Sequence, residues 1–211
     1  MHDDKKREIV DTCTKMVRLD LVIGTSGNIS TRVGDHVLIT PASKNYDKLK
    51  AEDVMVLDLE GNVLEGDKNP SVESPTHLAI YRARKDILAV VHTHSVHATA
   101  LAVTRTPLPA VLDEVVPKLG GDVRVASYAM PGTKELARNV VAALDMRSGV
   151  LMANHGALTC GKTLDEALDK SVLLERACKI YLLSLRAGEP HLLPDEVIED
   201  ESDIWKMLQG I

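Results

Sequence analysis

The sequence has no phenylalanine, four tyrosines and one tryptophan. Its core must therefore be built from Leu, Val, Ile, Ala and Met. The cysteines, Cys13, Cys160 and Cys178, are odd in number and widely spaced. That spacing argues against a disulfide framework and a paired-cysteine metal site, and it points to a reducing cytoplasm. No apolar run approaches the length of a membrane span. Met1-His2-Asp3-Asp4-Lys5-Lys6-Arg7 has no apolar segment behind it, so no secretory leader is expected. Positive charge is not in excess. A net charge of −6 disfavours nucleic acid or an anionic membrane as partner, while leaving room for a small local anion site. Repeats, low-complexity tracts and Gly/Ser linkers are missing too. The 211 residues, 45% of them hydrophobic, are expected to form one globular domain over 1–211.

What is present alternates between helix and strand signals. Ile9, Cys13, Met16 and Val17 make one apolar stripe of an opening helix that should stop before Gly24. Residues 28–33 and 36–40, split by Gly34-Asp35, read as a hairpin; 54–58 and 63–64 read as another. Ser74-Pro75 opens a helix to about Arg84, with Ser74 as its cap. Ile87–Val91 and Val150–Ala153 are short apolar runs suited to buried strands, and 123–126 is a weaker one. Thr133–Leu144 is helical. Thr163-Leu164-Asp165-Glu166 forms a capping box for a long helix ending near Gly188. The expected class is α/β, with a central, largely antiparallel sheet flanked by helices.

The first apolar strand runs into His92-Thr93-His94, and residues two apart on a strand share a face. His155 ends the second strand similarly. If those strands are neighbours, three imidazoles meet at the sheet rim. Three nitrogens with an open position suit a catalytic zinc; single histidines at strand ends are also commonly capped or solvated. Glu73 precedes a helix start, where the dipole favours a carboxylate, and in a shared pocket it would serve as general acid/base. Gly24-Thr25-Ser26-Gly27-Asn28 offers small donors for phosphate oxygens, or is an ordinary turn. Thr40-Pro41-Ala42-Ser43-Lys44 is a second polar turn of the same ambiguity.

Taken together, Gly24–Ser30, Ile39-Thr40-Pro41, Pro70–Glu73, Val91–His97, Tyr128–Leu136 and Asn154-His155-Gly156 resemble, in order, the class II aldolase/epimerase family, to which adducin's head domain is distantly related. The resemblance implies a divalent metal, most often zinc, with manganese or cobalt as alternatives, on His92, His94 and His155. It implies Glu73 as the acid/base, and phosphate binding by Thr25, Asn28, Ser43 and Ser71. It also implies a homotetramer with active sites between subunits. His97 matches as well and is expected to be structural, or to support the ligating residues without being a ligand itself.

The activity implied is reversible cleavage of a small ketose 1-phosphate, such as L-fuculose 1-phosphate, into dihydroxyacetone phosphate and an aldehyde through an enediolate. A pentulose-phosphate 4-epimerase, or another sugar-phosphate lyase or decarboxylase, is the alternative. Family epimerases carry Asp at the Glu73 position, so the glutamate favours cleavage. A non-catalytic assembly domain would not need this donor set. The chain also departs from the aldolase pattern. Val72 replaces a serine, Ser43 replaces a glycine, and Asp113 stands where a tyrosine acts. Asp113, or its neighbour Glu114, becomes the candidate for the C4 hydroxyl proton, reached from an adjoining subunit.

Overall fold

A computed structural model gives the fold and describes residues 1–210. The helices are α1 Asp3–Arg18, α2 Ser74–Ala83, α3 Val96–Thr104, α4 Val116–Leu119, α5 Lys134–Leu144, α6 Leu164–Ala187 and α7 Asp195–Gln209. The strands are β1 Asn28–Val33, β2 His36–Ile39, β3 Met55–Asp58, β4 Val63–Glu65, β5 Ala89–Thr93, β6 Val125–Ala126, β7 Gly149–Met152 and β8 Gly156–Gly161. The strands form one sheet in the order β4-β3-β2-β1-β5-β8-β7-β6. Every pairing is antiparallel except β6 with β7.

Strand residues alternate between two buried faces. Val37, Ile39, Met55, Leu57, Val90, Val150, Met152 and Leu158 pack with Leu78, Tyr81, Leu136 and Val140 of α2 and α5. Ile29, Leu38, Val56, Ala89 and Val91 face Ile9, Cys13 and Met16 of α1 and Leu164 and Leu168 of α6. Both faces of the sheet are thus covered by helices, with aliphatic side chains filling the space that phenylalanine would otherwise take. A buried leucine or valine contributes about 1.5–3 kcal/mol relative to exposure. The three thiols are free and buried. Among the described residues, no helix is long and apolar enough to cross a membrane.

Three sequence expectations change. Strand β8 was not anticipated, and it lies between β5 and β7. His155 therefore does not end a strand adjacent to the one carrying His92. It sits in the turn that folds β7 back into β8, where Asn154 takes φ 56 and the His155 amide donates to Met152 O at 3.0 Å. Second, α2 is capped at Glu73, not Ser74; the Ser74 hydroxyl instead donates to Ser71 O at 2.6 Å. Third, the capping box of α6 is shifted. Thr163 Oγ1 accepts from the Glu166 amide, but the Glu166 carboxylate accepts from the amide of Lys162, one residue before the cap.

Candidate active site

Strand alternation sends His92 to the α2 side of the sheet, the face that also receives Val90. His94 lies two residues on, just past the end of β5, and its amide donates to Leu21 O at 3.0 Å. The β7–β8 turn brings His155 to the same place. The His92 and His94 Nε2 atoms are 3.0 Å apart, and the imidazole centroids of the three residues are 4.8, 4.9 and 5.1 Å apart. This approach needs a glycine at 156. A Cβ there would lie 2.3 Å from Thr93 O and 3.2 Å from His92 Cε1.

Glu73 closes the cluster from above. At the N-terminus of α2, its carboxylate makes no cap bond and turns into the cleft. Its oxygens lie 3.0 Å from His92 Nε2 and 3.4 Å from His155 Nε2. Asn28 Nδ2 donates to it at 2.6 Å, because Asn28 is the register partner of His92 across β1 and β5. Burial works to raise the Glu73 carboxyl, but His92, His155 and Asn28 outweigh it and hold it below the usual carboxylate range. Burial, reinforced by His92 and His155, pushes His94 down to about 4. His155 is lowered by burial and by His92. His92 moves the other way: burial opposes its proton, but Glu73 and the Ala157 carbonyl favour it.

The donor set fits a divalent cation. Ligand atoms of His92, His94 and His155 all lie within 4.8 Å of one another. Nitrogens around a tetrahedral zinc stand about 3.3 Å apart, given Zn–N bonds of about 2.0–2.1 Å. His92 Nδ1 donates to Ala157 O at 2.8 Å. That bond places the proton on Nδ1 and leaves Nε2 as the ligating lone pair. Neutral imidazoles at His94 and His155 are in the state a metal requires.

Beside this cluster is a cleft of about 220 Å³ lined by Thr25, Asn28, Ser43, Ser71, Glu73 and His94, among others. The four residues expected at the phosphate thus line the same cleft as Glu73, His94 and His155. The Gly24–Asn28 loop is tied down by Tyr46 Oη donating to Gly27 O at 2.6 Å. Ser26 Oγ is spent on the Ile23 backbone. Asp113 is not brought to this cleft within its own chain. It is exposed before α4, and its charge acts on Glu201 of α7. His97 stands outside the histidine cluster: its Nδ1 and backbone amide both bind the Glu175 carboxylate, which also takes the Ala98 amide.

Sequence reasoning missed a polar layer beneath the site. Ser30 Oγ bonds His77 Nδ1 at 2.6 Å and Tyr81 Oη at 2.7 Å, all buried. Its signal was legible: Glu73, His77 and Tyr81 recur every four residues along one helix face.

The family model described as Class II Aldolase and Adducin N-terminal domain matches residues 7–182. The chain belongs to this family. L-fuculose phosphate aldolase of Escherichia coli (strain K12) is 39% identical over 193 residues, 91% of this chain and 89% of that protein. The 5-methylthioribulose-1-phosphate/5-deoxyribulose-1-phosphate aldolase of Rhodospirillum rubrum is 37% identical over 191 residues, 90% and 86% of the two chains. A solved L-fuculose 1-phosphate aldolase superposes with a TM-score of 0.94 at 41% identity, covering 98% of each chain. Known relatives of the class II family thus share the fold over almost its full extent.

Proposed function

We propose that the chain is a metal-dependent aldolase that reversibly cleaves a small ketose 1-phosphate, such as L-fuculose 1-phosphate or a 5-deoxypentulose 1-phosphate, into dihydroxyacetone phosphate and an aldehyde. One observation carries this reading: three histidines and a glutamate converge beside a cleft lined with hydroxyl and amide donors. Relatives named as aldolases for such phosphates support it.

His92, His94 and His155 would hold the cation, zinc by donor type, with manganese or cobalt as alternatives. When bound, the cation supplies Lewis-acid polarisation of the substrate carbonyl. Thr25, Asn28, Ser43 and Ser71 hold the phosphate and fix the reacting carbons. In cleavage the C3–C4 bond breaks, the C4 hydroxyl gives up its proton to become the aldehyde, and C3 gains a proton. Glu73 is assigned the proton at C3, in both directions. The Asn28 amide keeps its carboxylate turned inward. Asp113 is assigned the C4 hydroxyl proton of substrate bound to an adjoining subunit.

That assignment requires an assembly, which we take to be a homotetramer with interfacial sites. Val72 lines the cleft, and Ile23 and Met130 neighbour lining residues; they are 69%, 84% and 69% exposed. Large exposed apolar side chains grouped in this way support burial against another subunit. The free buried thiols support a cytoplasmic setting.

The test is triose phosphate formation from a panel of ketose 1-phosphates, read through a coupled dehydrogenase on zinc-loaded protein. The wild type is expected to yield dihydroxyacetone phosphate, with none from His92→Ala or Glu73→Gln. An epimer, or carbon dioxide, in place of triose phosphate would move the chain to another reaction on the same scaffold.

A further inference from the structure

A ladder of buried polar groups joins β1 to α2 behind Glu73, and its hydrogen bonds can run in one direction only. Residues two apart on a strand share a face, as do residues four apart on a helix. Asn28 and Ser30 of β1 therefore stand opposite Glu73, His77 and Tyr81. One rung is Asn28 Nδ2 donating to Glu73 at 2.6 Å. The next is Ser30 Oγ, 2.6 Å from His77 Nδ1 and 2.7 Å from Tyr81 Oη. Among the described residues Tyr81 Oη has no acceptor but Ser30 Oγ, so it donates there. The single Ser30 hydroxyl proton then goes to His77 Nδ1. Burial, opposed by Glu73, pushes His77 down to about 3, so the imidazole is neutral. With Nδ1 accepting, its one proton sits on Nε2. That atom is buried and has no hydrogen-bond partner among the described residues. At the other rung, the ionised Glu73 carboxylate can only accept, so the Asn28 amide must turn its nitrogen toward it. Asn28 Oδ1 is then a buried acceptor, and it too has no partner among the described residues. An unpaired donor and an unpaired acceptor thus lie between adjacent rungs. Each is costly to leave unpaired, and one water held between them satisfies both.

We infer that Tyr81, Ser30 and His77 are positioning residues for Glu73: Tyr81 donates to Ser30, Ser30 donates to His77 Nδ1, and His77 Nε2–H is joined through one buried water to Asn28 Oδ1. The chain locks the Asn28 amide with its N–H groups toward the carboxylate. A reversed amide would set its oxygen against the Glu73 charge and release the carboxylate from the geometry that proton transfer needs. The inference rests on the assignment of the C3 proton to Glu73 above, and adds the groups that hold that carboxylate in place.

The experiment compares zinc-loaded wild type, Tyr81→Phe, His77→Gln, His77→Leu and, as a packing control, Ile80→Val, which lies beside Tyr81 in the same helix and core. Magic-angle-spinning spectra of protein labelled with ring-15N histidine read the tautomer, the His77 signal being the one lost in His77→Gln. Wild type should show His77 protonated on Nε2. In Tyr81→Phe the Ser30 oxygen is freed to accept, and the Nδ1–H form should appear. On the ketose 1-phosphate, kcat of Tyr81→Phe and His77→Leu should fall about tenfold, the misalignment of one hydrogen bond to a charged group, with KM within about twofold of wild type. His77→Gln keeps an N–H where Nε2 stood and should retain more of kcat than His77→Leu. Ile80→Val should keep the wild-type kcat. An Nδ1–H tautomer in active wild type, or a wild-type kcat in Tyr81→Phe, would overturn the inference and leave the aldolase reading standing. A loss in Ile80→Val as large as that in Tyr81→Phe would overturn it as well, marking the effect as packing. If zinc-loaded wild type forms no triose phosphate from any ketose 1-phosphate, both fail together.

Discussion

Replacing Gly156 with alanine tests whether the histidine cluster depends on the close approach of β8 to β5. The added Cβ would sit 2.3 Å from Thr93 O, 3.2 Å from His92 Cε1 and 3.3 Å from His94 Cδ2. Relaxed carbon–oxygen contacts between strands are about 3.3–3.6 Å, so the strands must part by roughly 1 Å at this point. Overpacking of this kind costs about 1–3 kcal/mol. In a chain of this size each kcal/mol lowers Tm by roughly 2–4 °C. Parting the strands also stretches the 2.8 Å bond from His92 Nδ1 to Ala157 O. Losing the partner that orients a ligating histidine weakens metal binding about 10–100-fold. The assays are thermal unfolding of the metal-free protein, and competition for zinc against a chromogenic chelator. Gly34→Ala is the control. It carries φ +62 with nothing within 4 Å of an added Cβ, so it should cost backbone strain alone and leave zinc affinity as it is. A Gly156→Ala protein with the wild-type zinc affinity would refute the argument that β8 sets the cluster.

Two further outcomes are expected. Burial, opposed by the nearby Glu73 charge, pushes the His77 imidazole from 6.5 down to about 3. The unfolded chain then takes the proton more readily. Stability from this group is full above about pH 6.5 and falls as pH drops toward 3, by about 2 kcal/mol at pH 5. In denaturant titrations at pH 6.5 and 5, His77→Gln should lose this share of the slope whatever its starting stability; an unchanged slope would assign it elsewhere. For Asp113, separately inactive Asp113→Asn and His92→Ala chains, unfolded and reassembled together, should regain about a quarter of wild-type activity, because some sites then combine two intact halves. No recovery in confirmed mixed assemblies would place Asp113 outside the reaction.

Much of this arrangement was legible because local signals and tertiary demands agree. The Gly34-Asp35 turn between alternating runs gave the β1–β2 hairpin. The unbroken apolar run before His92 gave β5, and the two-residue spacing placed His92 and His94 on one face. The helix expected over Thr133–Leu144 is α5, with Thr133 itself standing one residue outside it as the cap that accepts from the Leu136 amide. Strand β8 was missed for a physical reason. Gly156-Ala157-Leu158-Thr159-Cys160-Gly161 has glycine at both ends and small residues within, so it shows neither strong alternation nor an apolar run. Its small side chains are what allow close packing against the histidines. The available signal was Asn154-His155-Gly156, turn residues between two segments able to pair. Helix α7 was missed because it is an acidic segment whose one buried side chain is Trp205. The Ser74 cap was misassigned because the preceding carboxylate takes the cap position while turning its oxygens to the histidines. The position of Asp113 within one chain reflects no local pattern at all, since its proposed target is on another subunit.

The central claim is that His92, His94 and His155 hold a cation needed for carbon–carbon cleavage and not for folding. The most direct measurement strips the protein with a chelator, then returns zinc stepwise while far-UV circular dichroism and triose phosphate formation are followed on the same sample. The account predicts that the fold largely persists, that activity is lost on stripping, and that it returns at about one zinc per chain. Unfolding on stripping would make the site a structural zinc, and full activity in the stripped protein would contradict the account.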